Sequence, residues 1–161
     1  MKKNEEYIVT CIDDTDLNSG VVKIDDMVVF VPNLLIGEKA KIKIVKVNKK
    51  YAFGIITQLL KPSINRQELT CEVAKTCGGC QLQHMKYAYQ LDYKYKHVKK
   101  LFEDIEVKSI LGMDSPWYYR NKAQFPVKIK DGKVLMGFYR QHSNDVVTCK
   151  ECKIQDFTIN K

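Results

Sequence analysis

Cys71, Cys77 and Cys80 place three thiols within a ten-residue stretch, and Cys149 and Cys152 add two more far downstream. The Gly78-Gly79 bend lets Cys77 and Cys80 turn toward one centre at little steric cost. Thiolates are soft ligands, so such a constellation suits zinc or an iron–sulfur cluster. Two ligand sets are open. Cys77-x2-Cys80 joined to Cys149-x2-Cys152 would make a four-thiolate zinc site, with a longer gap between pairs than usual and Cys71 left over. Cys71, Cys77, Cys80 and one late cysteine would instead hold a [4Fe–4S] cluster. Free cysteine is often an inert core residue, but buried cysteines seldom gather with glycines in a loop. Cys11 lies in a predicted strand and reads as an ordinary core thiol. A redox role for Cys77-Gly78-Gly79-Cys80 lacks the neighbouring βαβ pattern.

Lysines supply the second chemistry. Lys39, Lys41, Lys43, Lys46, Lys49 and Lys50 form a run with no acidic residue among them, and Tyr51 follows as a stacking surface. On one face of a small β domain these groups would contact phosphate and unstacked bases. A second group is Arg120, Asn121, Lys122 and Gln124, flanked by Tyr119 and Phe125, with Arg140 and His142 extending it. Lys94, Lys96, Lys99 and Lys100 read as the solvated face of a helix. The net charge of +8 favours a polyanionic partner such as nucleic acid. The start MKKNEEYIVT has no apolar run long enough for a signal peptide. Nowhere do roughly 18 apolar residues run together, so a membrane span is not expected. The expected location is the cytoplasm, where thiols stay reduced and available to metal.

The elements that must position these groups divide into two parts, residues 1–61 and 62–161. Period-two alternation marks strands at Tyr7–Ile12, Gly20–Ile24, Met27–Val31, Lys39–Val47 and Tyr51–Ile56. Asp25-Asp26 suggests a tight hairpin. In the fourth strand Ala40, Ile42, Ile44 and Val45 are expected to point inward, with Lys39, Lys41 and Lys43 on the other face. Five short strands in this span suggest a small OB-like barrel. Pro62-Ser63-Ile64-Asn65 marks the boundary. A helix is expected from Gln83 to Glu103, its apolar stripe formed by Tyr87, Leu91, Tyr95, Val98 and Phe102. Residues 116–142 return to β character, and Asp131-Gly132 between apolar runs signals a hairpin. The fold class is therefore mainly β, with an α+β second part.

The stretch CEVAKTCGGCQLQH at Cys71–His84 resembles the RNA uracil-5-methyltransferases that carry an iron–sulfur cluster. Residues 19–54 resemble that family's N-terminal TRAM domain, notably in VVKIDDMVVFVPNLLIGEKAKIKI and YAFG. Tyr119–Phe125, Gly137–Ser143 and Asp145–Cys152 resemble its central-domain motifs in order, so the likeness covers almost the whole chain. The resemblance implies a TRAM barrel followed by an iron–sulfur central domain with a long helix and β-hairpins. It implies Cys71, Cys77, Cys80 and Cys152 as ligands of a [4Fe–4S] cluster and leaves Cys149 a bystander. Lys153 departs from the proline that often follows the ligand cysteine. It further implies S-adenosylmethionine as methyl donor of the full-length protein and 23S ribosomal RNA as partner, with transfer RNA as the alternative. A non-enzymatic, zinc-dependent RNA-binding module is the competing reading.

Family members carry their nucleophile, base and cofactor loop in a C-terminal Rossmann-like domain. This chain has eight glycines but no G-x-G-x-x-G fingerprint. The resemblance thus implies that the catalytic domain is absent, that the central domain is incomplete at Lys161, and that the chain alone is inactive. The absent domain would be the natural packing partner of helix 83–103, whose uncovered stripe would invite self-association.

Overall fold

The structure, a computed structural model, describes residues 1–102 and 104–160 and divides into two compact units, residues 1–66 and the residues from 67 onward. In the first, β1 (Glu6–Thr10), β2 (Asp13–Asp14), β3 (Ser19–Ile24), β4 (Met27–Pro32), β5 (Lys39–Val47) and β6 (Tyr51–Lys61) form one sheet in the order β1-β5-β6-β4-β3-β2. All neighbours are antiparallel except β4 and β6. The sheet curls, bringing β1 against β3 as in a half-barrel. Alternation dictates the inner face: Val22, Val29, Val31, Ala40, Ile42, Ile44 and Ala52 are fully buried and pack together.

Two sequence expectations need correction here. Val45 is half-buried rather than inward, because a register shift between Ile44 and Lys46 inserts a bulge that breaks the period of two. The last strand continues well past Ile56, to Lys61, because β5 keeps pairing with it as far as Lys39↔Lys61. Asp25, with φ of 53°, turns β3 into β4 as expected.

Beyond β6 the first unit extends to Arg66, whose guanidinium closes on Glu38. The Glu38 carboxylate has no solvent exposure and also accepts N–H groups from Leu35 (2.9 Å) and Ser63 (3.0 Å). Burial alone would raise its pKa; the hydrogen bonds and charge of Arg66 and those two amides outweigh it and hold the carboxyl below its usual range.

The second unit holds α1 (Tyr87–Leu101), β7 (Val127–Lys130), β8 (Lys133–Met136), β9 (Phe138–Tyr139) and β10 (Val146–Val147). The helix is shorter than expected, and Glu103 lies outside the described residues. Residues 83–86 do not join it: Gln83, His84 and Met85 are buried in a turn, with the Met85 N–H bonded to the Leu82 carbonyl at 2.9 Å and Lys86 extended at ψ of 143°. The apolar stripe is covered in part by this chain itself. Tyr87 Oη accepts the Met113 N–H at 2.8 Å, Tyr95 Oη donates to the Val107 carbonyl at 3.3 Å, and Leu91 abuts Gly112. Val98 and Phe102 stay exposed.

β character begins only at Val127, not at residue 116; from 116 to 126 the chain is irregular apart from a bridge between Arg120 and Gln155. The β7–β8 hairpin turns on Asp131 and Gly132, both left-handed at φ of 51° and 74°, as a two-residue hairpin turn requires. No helix among the described residues is long and apolar enough to cross a membrane.

Candidate metal centre and nucleic-acid interface

The thiols meet because two separate chain segments are tied to the same hairpin. Cys77 bridges Arg140, the Gly78 N–H bonds to the Tyr139 carbonyl at 2.9 Å, and the Gln141 N–H bonds to the Thr76 carbonyl at 3.2 Å. The approach is close: a Cβ on Gly78 would stand 3.1 Å from the Tyr139 oxygen and 3.2 Å from Gln141 Cα. On the other edge of β9, β10 pairs through Val146↔Tyr139 and leads directly into Cys149 and Cys152. The Glu72 carboxylate then accepts the Lys150 N–H at 2.9 Å, fastening the late segment beside Cys71. Asn160 clamps Cys152, accepting its N–H at 2.9 Å and donating to its carbonyl at 3.0 Å.

Cys71, Cys77, Cys80, Cys149 and Cys152 consequently line one cavity of about 20 Å³, walled by apolar groups such as Val73, Phe138 and Ile154. Among the described residues no carboxylate or imidazole lines it; beside the five thiols its polar side chains are those of Gln83, Arg120 and Lys153. Burial pushes the Cys80 and Cys149 thiols up to about 11 and raises Cys77 as well. After burial, the groups that raise Cys80 are Cys152, Cys77 and Cys71. Five thiols gathered in a largely apolar cavity fit a soft metal centre. Among the described residues no three His, Cys, Asp or Glu side chains converge closely enough for one metal ion. Cys11 lies apart, 2% exposed in the core of the first unit, its thiol donating to the Asp13 carbonyl at 3.2 Å.

Arg120 departs from its sequence neighbours. Its backbone pairs with Ile154 and Asp156, and its side chain lines the cysteine cavity, where its charge favours the thiolates of Cys77 and Cys80. Asn121, Lys122, Gln124, Arg140 and His142 are all exposed.

The lysine run is less isolated in space than in sequence. Strand pairing sets Glu6 opposite Lys43 and within 2.6 Å of Lys41 Nζ, and both lysines hold Glu6 below the usual carboxylate range. Lys49 and Lys50 share a groove with Asp25 and Asp26 of the β3–β4 turn. Lys39 and Lys46 are exposed. Sequence reading singled out Tyr51 but missed its companions. Parallel pairing of β4 with β6 sets Phe30 beside Phe53, and the rings of Phe30, Tyr51 and Phe53 lie 5.5–5.9 Å apart on the outer face. The missed signal was the period of two: Phe30 alternates with buried Val29 and Val31, and so must face out.

Residues 3–57 match the model of the TRAM domain family. Over 161 residues the chain is 43% identical to an uncharacterized RNA methyltransferase of Halalkalibacterium halodurans, covering 96% of this chain and 35% of that protein. It is 40% identical to one from Clostridium tetani, covering 100% and 36% respectively, and 44% identical to one from Staphylococcus epidermidis, covering 97% and 36%. The chain thus spans about a third of the length of the curated relatives it matches. Among solved structures it is similar to the Pyrococcus abyssi tRNA (uracil-54, C5)-methyltransferase in complex with S-adenosyl-L-homocysteine, with a TM-score of 0.64, 23% identity, and coverage of 94% of this chain and 34% of that one. That likeness is one of fold.

Proposed function

The chain carries a TRAM domain and is homologous to bacterial RNA methyltransferases, and on that premise we propose that it is the RNA-recognition portion of an S-adenosylmethionine-dependent RNA (uracil-5-)-methyltransferase. The observation that carries the reading is similarity along almost the whole chain, at 43% identity, to an uncharacterized RNA methyltransferase. Large-subunit (23S) ribosomal RNA is the proposed substrate. Transfer RNA is the second reading, favoured by the fold shared with a tRNA (uracil-54, C5)-methyltransferase. Methyl transfer itself belongs to the whole protein; this chain binds and orients RNA.

Its first unit presents Phe30, Tyr51 and Phe53 as a stacking surface, with Lys46 beside it as the phosphate contact. Lys43, Lys49 and Lys50 contribute less, because Glu6, Asp25 and Asp26 offset them. Asn121, Lys122, Gln124 and Arg140 form the second surface. Each phosphate contact releases condensed counterions, so affinity falls as salt rises. Measured by fluorescence anisotropy on a 23S fragment and on a tRNA transcript, Lys46→Ala should lower the log–log salt slope by about one. Lys41→Ala, already engaged by Glu6, should change it less. An unchanged slope for Lys46→Ala removes the phosphate role, and preference for the tRNA transcript selects the second reading.

In the second unit Cys71, Cys77, Cys80 and Cys152 are the proposed ligands of a [4Fe–4S] cluster. A cluster places iron and sulfide between its thiolates, which suits sulfurs ranged around a cavity better than one zinc ion with about 2.3 Å bonds does. When bound it cross-links the loop at Cys71–Cys80 to the segment ending at Cys152 and stiffens the RNA-binding platform. Arg120 lies among the thiolates and offsets part of their charge. Anaerobic purification should yield about four iron and four acid-labile sulfide per chain. Cys149→Ser should retain that content and Cys152→Ser should lose it. Stoichiometric zinc without sulfide would replace the cluster with a zinc site.

A further inference from the structure

Two cations, Arg120 and Lys153, line the cysteine cavity, and they differ in what already engages them. Lys153 Nζ donates to the Glu151 carboxylate at 2.7 Å and to the Tyr118 hydroxyl at 3.3 Å. Arg120 is half-buried, and among the described residues no carboxylate pairs with its guanidinium. A charge partly withdrawn from water is costly unless a counter-charge lies close by. Among the described residues no carboxylate lines this cavity to supply one. Sulfur faces Arg120 instead, and its positive charge reaches both Cys77 and Cys80.

The backbone holds Arg120 in this place. Its N–H bonds to the Ile154 carbonyl at 2.8 Å, and its carbonyl accepts the Asp156 N–H at 2.9 Å. Arg120 is thereby fixed alongside the segment that follows Cys152, while Asn160 grips Cys152 itself through both backbone groups. Tyr119 and Asn121 on either side are exposed, so Arg120 departs from its neighbours in being drawn toward the thiols. A guanidinium is always charged, so this one suits an occupant whose own charge is negative. Four thiolates outweigh the positive charge of a [4Fe–4S] core and make the whole such a centre. Reduction adds one electron and hence one more negative charge, which a fixed cation close by favours.

We propose that Arg120 sets the reduction potential of this metal centre, its fixed positive charge favouring the reduced form of the cluster. The proposal rests on the iron–sulfur reading above, and it adds the residue that governs how tightly the centre holds an electron.

The whole chain is purified anaerobically, and the midpoint of its cluster is measured by dithionite titration followed in the visible absorption. Arg120→Gln should keep iron and sulfide but hold the electron about tenfold less tightly, a fall of about 59 mV for a one-electron couple. Arg120→Lys should restore most of the midpoint, because it returns the charge. An unmoved midpoint in Arg120→Gln, with iron and sulfide at the parent's content, overturns the proposal and leaves the cluster reading standing. Equal falls in the two variants also overturn it, since lost shape rather than lost charge would then be the cause. If Arg120→Gln retains no cluster, Arg120→Lys decides: recovery of iron and sulfide with a midpoint near the parent's supports the role, and their loss removes it. A parent chain without iron overturns the cluster reading and the proposal together. RNA titration tests the competing role, for Arg120→Gln should leave the log–log salt slope unchanged. A slope lowered by about one would assign the guanidinium to phosphate and overturn the proposal.

Discussion

Arg66→Ala will destabilise the first unit by about 3–5 kcal/mol at neutral pH, because it strands a carboxylate in the interior. Glu38 has no solvent exposure, and Arg66 meets it through Nε at 2.5 Å and Nη2 at 2.7 Å. Nη2 also donates to the Asn33 carbonyl at 2.6 Å, so the substitution loses that bond too. The Leu35 and Ser63 amides would remain, but they do not neutralise a charge. The pH dependence separates this account from simple loss of packing. In the parent the Glu38 carboxyl is held below its usual pKa, so its stabilisation is present above the unfolded value near 4.5 and disappears as pH falls through the folded value. Without Arg66, burial dominates and the carboxyl rises, so the variant gains relative stability on protonation. The gap between parent and variant should therefore be widest near neutrality and narrow below about pH 4.5. Denaturant unfolding followed by hydrogen exchange of the β5 amides measures it. A cost under about 1 kcal/mol that is flat with pH would show the pair to be solvated.

Gly137→Ala acts on the second unit through sterics. A Cβ at Gly137 would press on the Val147 carbonyl, 2.8 Å from its carbon and 3.0 Å from Thr148 Cα. These are backbone atoms, so no side chain can rotate aside, and overpacking of this kind costs about 1–3 kcal/mol or more. Residues 147–148 lead directly into Cys149 and Cys152, so displacing them moves the late thiols from the early ones. The expected result is a lowered thermal midpoint for the second unit together with reduced metal content after anaerobic purification. Gly132→Ala is the contrast. Nothing lies within 4 Å of its Cβ, and the strain comes from φ of 74° at the tip of an exposed hairpin. It should fray β7 and β8 and leave metal content unchanged. Equal metal loss in both variants would mean that the contact between Gly137 and Val147 does not position the late cysteines.

Much of the first unit was legible because one face of its sheet is buried. A period of two then writes itself into the residue types, as in Ala40, Ile42 and Ile44 against Lys39, Lys41 and Lys43. The bulge at Val45 was not legible, since a bulge is settled by what the partner strand offers. The second unit was harder to read. Its helical stripe extended the expected helix back to Gln83, yet Gln83–Met85 are buried in a turn that period alone cannot tell from a first helical turn. The stretch 116–126 has β-like residue types but forms no strand; at Tyr118 and Arg120 its backbone bonds instead to residues 153–156.

The charges show the same limit. The lysines of residues 39–50 have no acid among them in sequence, and strand pairing supplies Glu6 while the β3–β4 turn supplies Asp25 and Asp26. Arg120 sits among candidate RNA contacts in sequence and beside thiols in space.

By itself the sequence determined the strands of the β unit, the cysteine constellation and the likeness to TRAM domains and RNA methyltransferases. Each is written in local spacing and residue type. Tertiary structure alone decided which distant groups meet: Glu38 with Arg66, the late cysteines with the early ones, and Arg120 with the thiols. Contacts across many residues depend on strand register and loop closure, and these follow from the energy of the whole packed unit rather than from any short stretch of chain.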